Sequence, residues 1–442
     1  MAVPYRPMNI LIVGATGLIG ASLRHALVQR RHHVIAAQRS APPDGGAWLA
    51  IDMAQASSDD WHRALADVDV VVNCVGIFRE GAVQSFEALH HLGPVRLFDA
   101  CAARGIRRVV QLSALGADEA AESAYHCSKK AADSHLLGLP LNAVVAQPSL
   151  VFSLGGSSSR ALLTLASLPV VPLPAGGQQQ IQPIAIDDLT AGLVALVEDD
   201  PLLPAQLGRR VAMVGPRPIS FRDYLQGLRA SLGLAPAKTV AVPSGLMKAA
   251  AVLGDWFGKR WPGLLLDSDS WKMLQRGNCG DASAISLLLG RSPREVARFV
   301  EPACADAARY QALLGWLLPV ASLSLATVWI VTAIVSAFVY PVDSSLELLA
   351  RAGVPEPWRP AALYSAAALD LLFGLAILFV PRRARWRPWL WPAQAGLIVF
   401  YTAVITWCLP EFWAHPYGPL LKNLPMLALI GIVARLEPAR RK

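Results

Sequence analysis

From Asn9 the chain runs as a short apolar stretch, NILIV, then a glycine-rich turn, then apolar positions recurring every three or four residues through LIGASLRHALVQR. Further short apolar runs follow at HVIAAQ, WLAID, DVVVNCVG, IRRVVQLSA and LNAVVAQPS, separated by helix-period segments near residues 59–67, 85–104 and 124–137. Apolar strands alternating with helices predict a parallel sheet covered on both faces, of the doubly wound Rossmann type, with its ligand at the carboxyl ends of the strands. Beyond residue 215 the pattern breaks into short helical pieces, among them SFRDYLQGLRASLG, PSGLMKAAAVLGDWFG and SPREVARFV. No charge lies between Arg309 and Asp343, and apolar runs recur at 361–380, 389–409 and 416–434, each near the ~20 residues of a membrane span. The expected fold is α/β: a Rossmann-type sheet over 1–215, a small helical substrate lobe and linker over 216–308, and an all-α transmembrane four-helix bundle over 309–442.

Composition sharpens the membrane part. Hydrophobic residues are 54% of the 442 and charged residues 16%, too apolar for an ordinary soluble chain and too long for one core. The net charge is +8, and eleven Lys or Arg against six Asp or Glu after residue 310 place +5 of it in the apolar third. Basic residues beside spans set orientation, so the charge is read as membrane topology and not as nucleic-acid binding. Arg382, Arg383, Arg385 and Arg387 in one connection, with Arg435, Arg440, Arg441 and Lys442 in the tail, contrast with 410–418, which has no Lys or Arg. Four spans with the N-terminal domain and the C-terminus both cytoplasmic, at the inner membrane, are expected. Eight of the thirteen tryptophans follow residue 310, several near span ends. Two intramembrane charges, Asp370 and Lys422, are expected to pair inside the bundle, the alternative being a lysine that snorkels to the interface.

The six cysteines, Cys74, Cys101, Cys127, Cys279, Cys304 and Cys408, form no CxxC, so reduced thiols and no metal site are expected. The early strand leaves no room for a signal peptide before it. Trp256, Phe257, Trp261 and Trp271 suit an apolar pocket, a surface resting on a membrane, or simply core.

The chemistry gathers in the first 150 residues. Gly14, Gly17 and Gly20 are spaced GxxGxxG between strand and helix, where the first allows a tight turn, the second a close pyrophosphate and the third close helix packing. Thr16, Leu18 and Ile19 stand within the same turn. After the second strand, where an NAD site carries an acid, this chain has Arg39, which can pair with a 2′-phosphate; NADP is favoured, with NAD as the alternative. Asp52 and Met53 follow the third strand and belong near the adenine; Cys74, Val75 and Gly76 follow the fourth and belong near the nicotinamide. The stretch SAYHCSKK places Tyr125 and Lys129 four residues apart on one helix face, and Ser113 ends the adjacent fifth strand.

VGATGLIG, Ser113 and the Tyr125-to-Lys129 YxxxK resemble the short-chain dehydrogenase/reductase superfamily in its atypical or extended branch, which includes the epimerase/dehydratases and the nucleotide-binding accessory subunit of respiratory complex I. QPSLVFSLGG and QQQIQPIAIDDLTAGL extend the likeness, though Gln147 stands where relatives commonly carry Arg before Pro148. The resemblance implies that Lys129 holds the nicotinamide ribose and stabilises a Tyr125 phenolate. Ser113 then polarises the substrate oxygen and Tyr125 exchanges its proton. LATVWIVTAIVSAFVYP, AALDLLFGLAI and HPYGPLLKNLPMLALI resemble the four-helical DoxX-like membrane family. Together these imply a membrane-tethered, NADP-preferring oxidoreductase for a small, lipid-soluble carbonyl or alcohol. Its alternatives are a non-catalytic nucleotide-binding assembly module and a nucleotide-sugar epimerase.

Overall fold

The computed structural model describes residues 7–42, 45–81, 84–198, 208–257, 267–382 and 384–437, the side chains of Trp256 and Phe257 excepted. Trp261 and the tail residues Arg440, Arg441 and Lys442 lie outside the described residues.

Strand β1 (Asn9–Val13) runs between β2 (His33–Gln38) and β4 (Val70–Asn73), and every residue of β4 and of β5 (Arg108–Leu112) is buried. Strands with no solvent face need a covering layer on each side. With β3 (Trp48–Ala50), β6 (Ala143–Pro148) and the strand Arg210–Met213 they form one parallel seven-stranded sheet. From edge to edge the order is Arg210–Met213, β6, β5, β4, β1, β2, β3. The chain moves outward from β1 to β3, then returns to β4 on the other side of β1, so a crevice opens above the carboxyl ends of β1 and β4.

Alternate residues of the strands feed two cores. Ile10, Ile12, Val70 and Val72 pack with Leu23 and Leu27 of helix α1 (Leu18–Gln29) and with the helix Ile186–Glu198. Leu11, Val13 and Val71 pack with Trp61 of α2 (Ser58–Ala64), Phe98 of α3 (Gly93–Arg104) and Leu136 of α4 (Ala124–Gly138). Leu23 and Leu27 are fully buried one turn apart, and each such side chain contributes about 2 kcal/mol.

A third core, built from Phe152, Leu163, Tyr224, Leu228 and Phe299, belongs to the lobe that follows. Trp271, in the helix Ser268–Arg276, is buried as well. Buried Asp188 accepts from the Arg294 amide at 2.7 Å and pairs with Arg291, while the exposed Asp187 pairs with Arg294 at 3.1 Å.

The chain divides into two compact units, residues 1–312 and 313–442. Among the described residues, three helical stretches are long and apolar enough to cross a membrane: Pro302–Val339, Glu356–Phe379 and Arg387–Cys408. At the fourth expected span the helix runs over Asn423–Leu436, 14 residues or about 21 Å, shorter than a hydrocarbon core of ~30 Å. Pro416, Gly418 and Pro419 break the preceding segment, with Gly418 at φ +50°. The expected Asp370 to Lys422 pair is also absent among the described residues. Asp370 is buried with no hydrogen-bond partner on Oδ1, whereas Lys422 is exposed just ahead of the last helix.

A different charged group orders this unit. Buried Arg387 donates to the carbonyls of Ala376, Ile377 and Val380 at the end of Glu356–Phe379, and pairs with Glu437 at 2.9 Å. Trp391 Nε1 donates to the same carboxylate at 2.9 Å. Three helix ends are therefore fastened at one face.

Candidate active site

Gly14 has φ +82°, and a Cβ there would lie 2.9 Å from the backbone of Cys74 and Val75. A Cβ on Gly20 would lie 2.3 Å from Gly14 O, so α1 meets β1 without room for a side chain. Thr16, Gly17 and Leu18 are exposed above them, while Ile19 is half-buried. The N-cap Gly17 supplies no side-chain acceptor and the first turn of α1 holds no acid. Its leading amides are thus available to an anion, which the helix dipole also favours. This cradle fits a dinucleotide pyrophosphate.

Arg39 is exposed directly after β2. Asp52 Oδ1 accepts from the Ala54 amide at 3.0 Å, and Met53 is buried against Gly93. After β4, the Val75 amide donates to Asn73 Oδ1 at 3.1 Å, and Cys74 is held by its amide on Val13 O at 2.8 Å. A Cβ on Gly76 would lie 3.3 Å from Lys129 Nζ, so the glycine admits the lysine to this edge.

Helix α4 begins at the N-cap Ser123, whose Oγ accepts from the His126 amide, and buries His126, Lys129, Ala132, Asp133 and Leu136 along one stripe. Lys129 Nζ donates to Val75 O at 2.9 Å and to Leu112 O at 3.1 Å, tying α4 to the carboxyl ends of β4 and β5. Ser113 follows β5 and donates to Asp133, a buried carboxylate one turn beyond Lys129. The Tyr125 ring stacks on Phe78 at 5.2 Å and meets Phe86, His90 and His126 edge-on. Lys129 and Ser113 thus meet at the end of β5, but the serine hydroxyl is turned to Asp133.

The electrostatics differ from expectation in one respect. Burial lowers Lys129 to about 8, opposed by Asp133. Tyr125 is pushed up to about 12, by burial first and then by Asp133, and not down by its lysine neighbour. The ammonium itself donates to two backbone carbonyls, Val75 O and Leu112 O. Burial also raises Asp133 to about 6, opposed by the Ser113 hydrogen bond, Lys129 and Arg210.

Several of these residues were not singled out from the sequence. His90 Nε2 accepts from the Ile77 amide at 2.9 Å, so its Nδ1 carries the hydrogen and donates to Ser128 Oγ at 3.0 Å, which in turn donates to Tyr125 O at 2.9 Å. Burial and Lys129 hold His90 down at about 3, a neutral ring. His90 lies in a π-turn (Glu87–Leu92), which shifts its facing relative to an α-helical reading. Asp133 had a signal, since it repeats the four-residue step from Lys129.

Beside this edge opens a cleft of about 280 Å³, lined by Leu115, Gly116, Asp118, Arg276, Asn278 and Cys279 among others. Arg276 donates to Gly116 O at 2.9 Å and pairs with Asp118 at 2.6 Å, and Arg79 pairs with Asp267 at 2.5 Å. Both contacts tie the lobe to loops beyond the sheet. Gln147 Nε2 bonds Ala117 O at 3.3 Å and steadies the loop after β5.

Residues 10–201 match the NAD dependent epimerase/dehydratase family, and residues 326–431 match the DoxX-like family. Two separate segments of the chain therefore resemble known families, the first of which supports an NAD(P)-dependent oxidoreductase-type enzyme. It is similar to the mitochondrial NADH dehydrogenase (ubiquinone) 1 alpha subcomplex subunit 9 of Arabidopsis thaliana, at 25% identity over 265 residues, 57% of this chain and 64% of that one. The match thus spans less than two thirds of the plant protein's length. The 2-alkyl-3-oxoalkanoate reductase of Stenotrophomonas maltophilia is 27% identical over 290 residues, 59% of this chain and 85% of that one. A nucleoside-diphosphate-sugar epimerase of Staphylococcus aureus shares the fold, with TM-score 0.53 and 16% identity over 66% of this chain and 100% of that one.

Proposed function

We propose that this chain is a membrane-tethered reductase of the short-chain dehydrogenase type, preferring NADPH, that acts on an apolar carbonyl compound from the cytoplasmic face of the inner membrane. The observation that carries the reading is the Lys129 and Tyr125 pair on one face of α4, beside the uncapped N-terminus of α1. The nicotinamide, when bound, supplies hydride. Lys129, fixed on Val75 O and Leu112 O, orients the ribose, and Gly14 and Gly17 admit the pyrophosphate. A phenol pushed up to about 12 keeps its proton at neutral pH, so Tyr125 can donate to a carbonyl oxygen as hydride reaches the carbon. Exposed Arg39, at the position of a ribose-binding acid, supports NADPH. The similarity to an oxoalkanoate reductase supports an alkyl-bearing ketone substrate.

The test uses the full chain in detergent, titrated with NADPH and NADH by fluorescence and assayed on 2-alkyl-3-oxo acids. Tyr125→Phe should keep NADPH affinity while turnover falls about 100-fold or more. Arg39→Ala should erase the nucleotide preference, and equal affinity of the unaltered chain for both nucleotides overturns it.

A second reading has its own observations. The Ser113 hydroxyl is engaged by Asp133 and Phe78 lies over Tyr125, which favours a nucleotide-binding assembly module without turnover. That reading is supported if NADPH binds, no carbonyl is reduced, and Tyr125→Phe leaves the cellular phenotype unchanged.

A further inference from the structure

We propose that the lobe helix Ser244–Phe257 lies on the bilayer surface as an interfacial element, a membrane contact separate from the spans. In this helix Leu246, Val252 and Leu253 are 62%, 61% and 56% exposed. Residues seven apart return to one helix face, so Leu246 and Leu253 share it, with Val252 alongside. The opposite side carries buried Ala251 and Gly254, and the helix is fastened to its neighbour by Asp255, which accepts from the Ser268 amide at 3.0 Å and from its hydroxyl. Exposed apolar residues are ordinary when scattered, whereas a contiguous patch marks a contact.

Two observations choose the bilayer as occupant. The chain continues into three apolar spans, so this unit is tethered to a membrane and lipid is always at hand. Between residues 238 and 260 stand four basic residues, Lys238, Lys248, Lys259 and Arg260, against the single acid Asp255. That imbalance complements an anionic headgroup layer and opposes docking of a second, equally basic copy. Basic and apolar residues on one helix suit a position in the headgroup region. The inference does not rest on the proposed chemistry, and it survives if the chain proves not to turn over.

The experiment reconstitutes the full chain in vesicles of phosphatidylcholine and phosphatidylglycerol doped with a lipid bearing a diazirine in its acyl chain, followed by illumination and peptide mapping. Lipid adducts are expected on residues 244–257 as well as on Glu356–Phe379. The double variant Leu246→Glu with Leu253→Glu should lose about fivefold of the adducts on 244–257 while those on the span persist, which also reports that the protein remains inserted. Adducts confined to the spans, or cross-links from 244–257 to a second copy in place of lipid, overturn the proposal.

Discussion

Asp133 accepts from Ser113, and its charge acts on Lys129 and Tyr125. Its charge raises Lys129 and Tyr125 together, and its own position near 6 reflects burial set against Ser113, Lys129 and Arg210. Replacing it with Asn keeps the shape and an acceptor for Ser113 but removes the charge, so Lys129 should lose its proton at a lower pH. The basic limb of the kcat/KM profile for NADPH-dependent turnover should then move below about 8. A limb that stays in place would leave Asp133 a packing role. Stability responds with the opposite sense for the two groups. Asp133, raised from 3.8 to about 6, binds more protons folded than unfolded between those values, so its contribution falls as pH rises through them. Lys129, lowered from 10.5 to about 8, binds fewer protons folded across that window, so its contribution rises with pH there. The shared face of Tyr125 and Lys129 could be read from spacing, because a four-residue step is a property of any helix, and Ser113 from its place at the end of a strand. The turn of Ser113 away toward Asp133 was not legible, since it depends on a side-chain rotamer set by burial.

Among elements, β1 and α1 could be read from the chain because their glycines answer a backbone requirement. Gly14 needs a positive φ, and Gly20 a close crossing over Gly14 O. The fourth apolar helix begins later than its hydropathy suggests, for the converse reason. Its apolar content matches a span, but Pro416, Gly418 and Pro419 delay the helix to Asn423, and hydropathy averaged over a window does not register such breaks. What holds this short helix is Glu437 on Arg387, a pair with side chains 11% and 4% exposed. Removing one member of a buried pair costs about 3 kcal/mol or more, so Glu437→Gln should lower the melting midpoint in detergent. Replacing Arg387 and Glu437 together by Leu should cost less than the single change, apart from the lost carbonyl caps. An unchanged midpoint for Glu437→Gln would mean that the cluster is wet.

At the scale of the molecule, the change in composition near residue 310 announced two units, and the structure divides them at 312 and 313. Within the second unit the Arg387 cluster puts the 381–386 connection and Glu437 at one face. Together with the basic residues there, this predicts that a cysteine placed in that connection and a tag after Lys442 react with impermeant reagents only in inverted vesicles. Labelling in intact cells would reverse the orientation. The thiols are sorted by depth as well. Burial pushes Cys74, beside the glycine cradle, and Cys101 up to about 12, whereas Cys127, Cys279 and Cys304 are exposed. Peroxide or an electrophile reaching this protein would therefore mark the exposed thiols before Cys74 and Cys101, so oxidative damage would spare the thiol beside the coenzyme's seat longest.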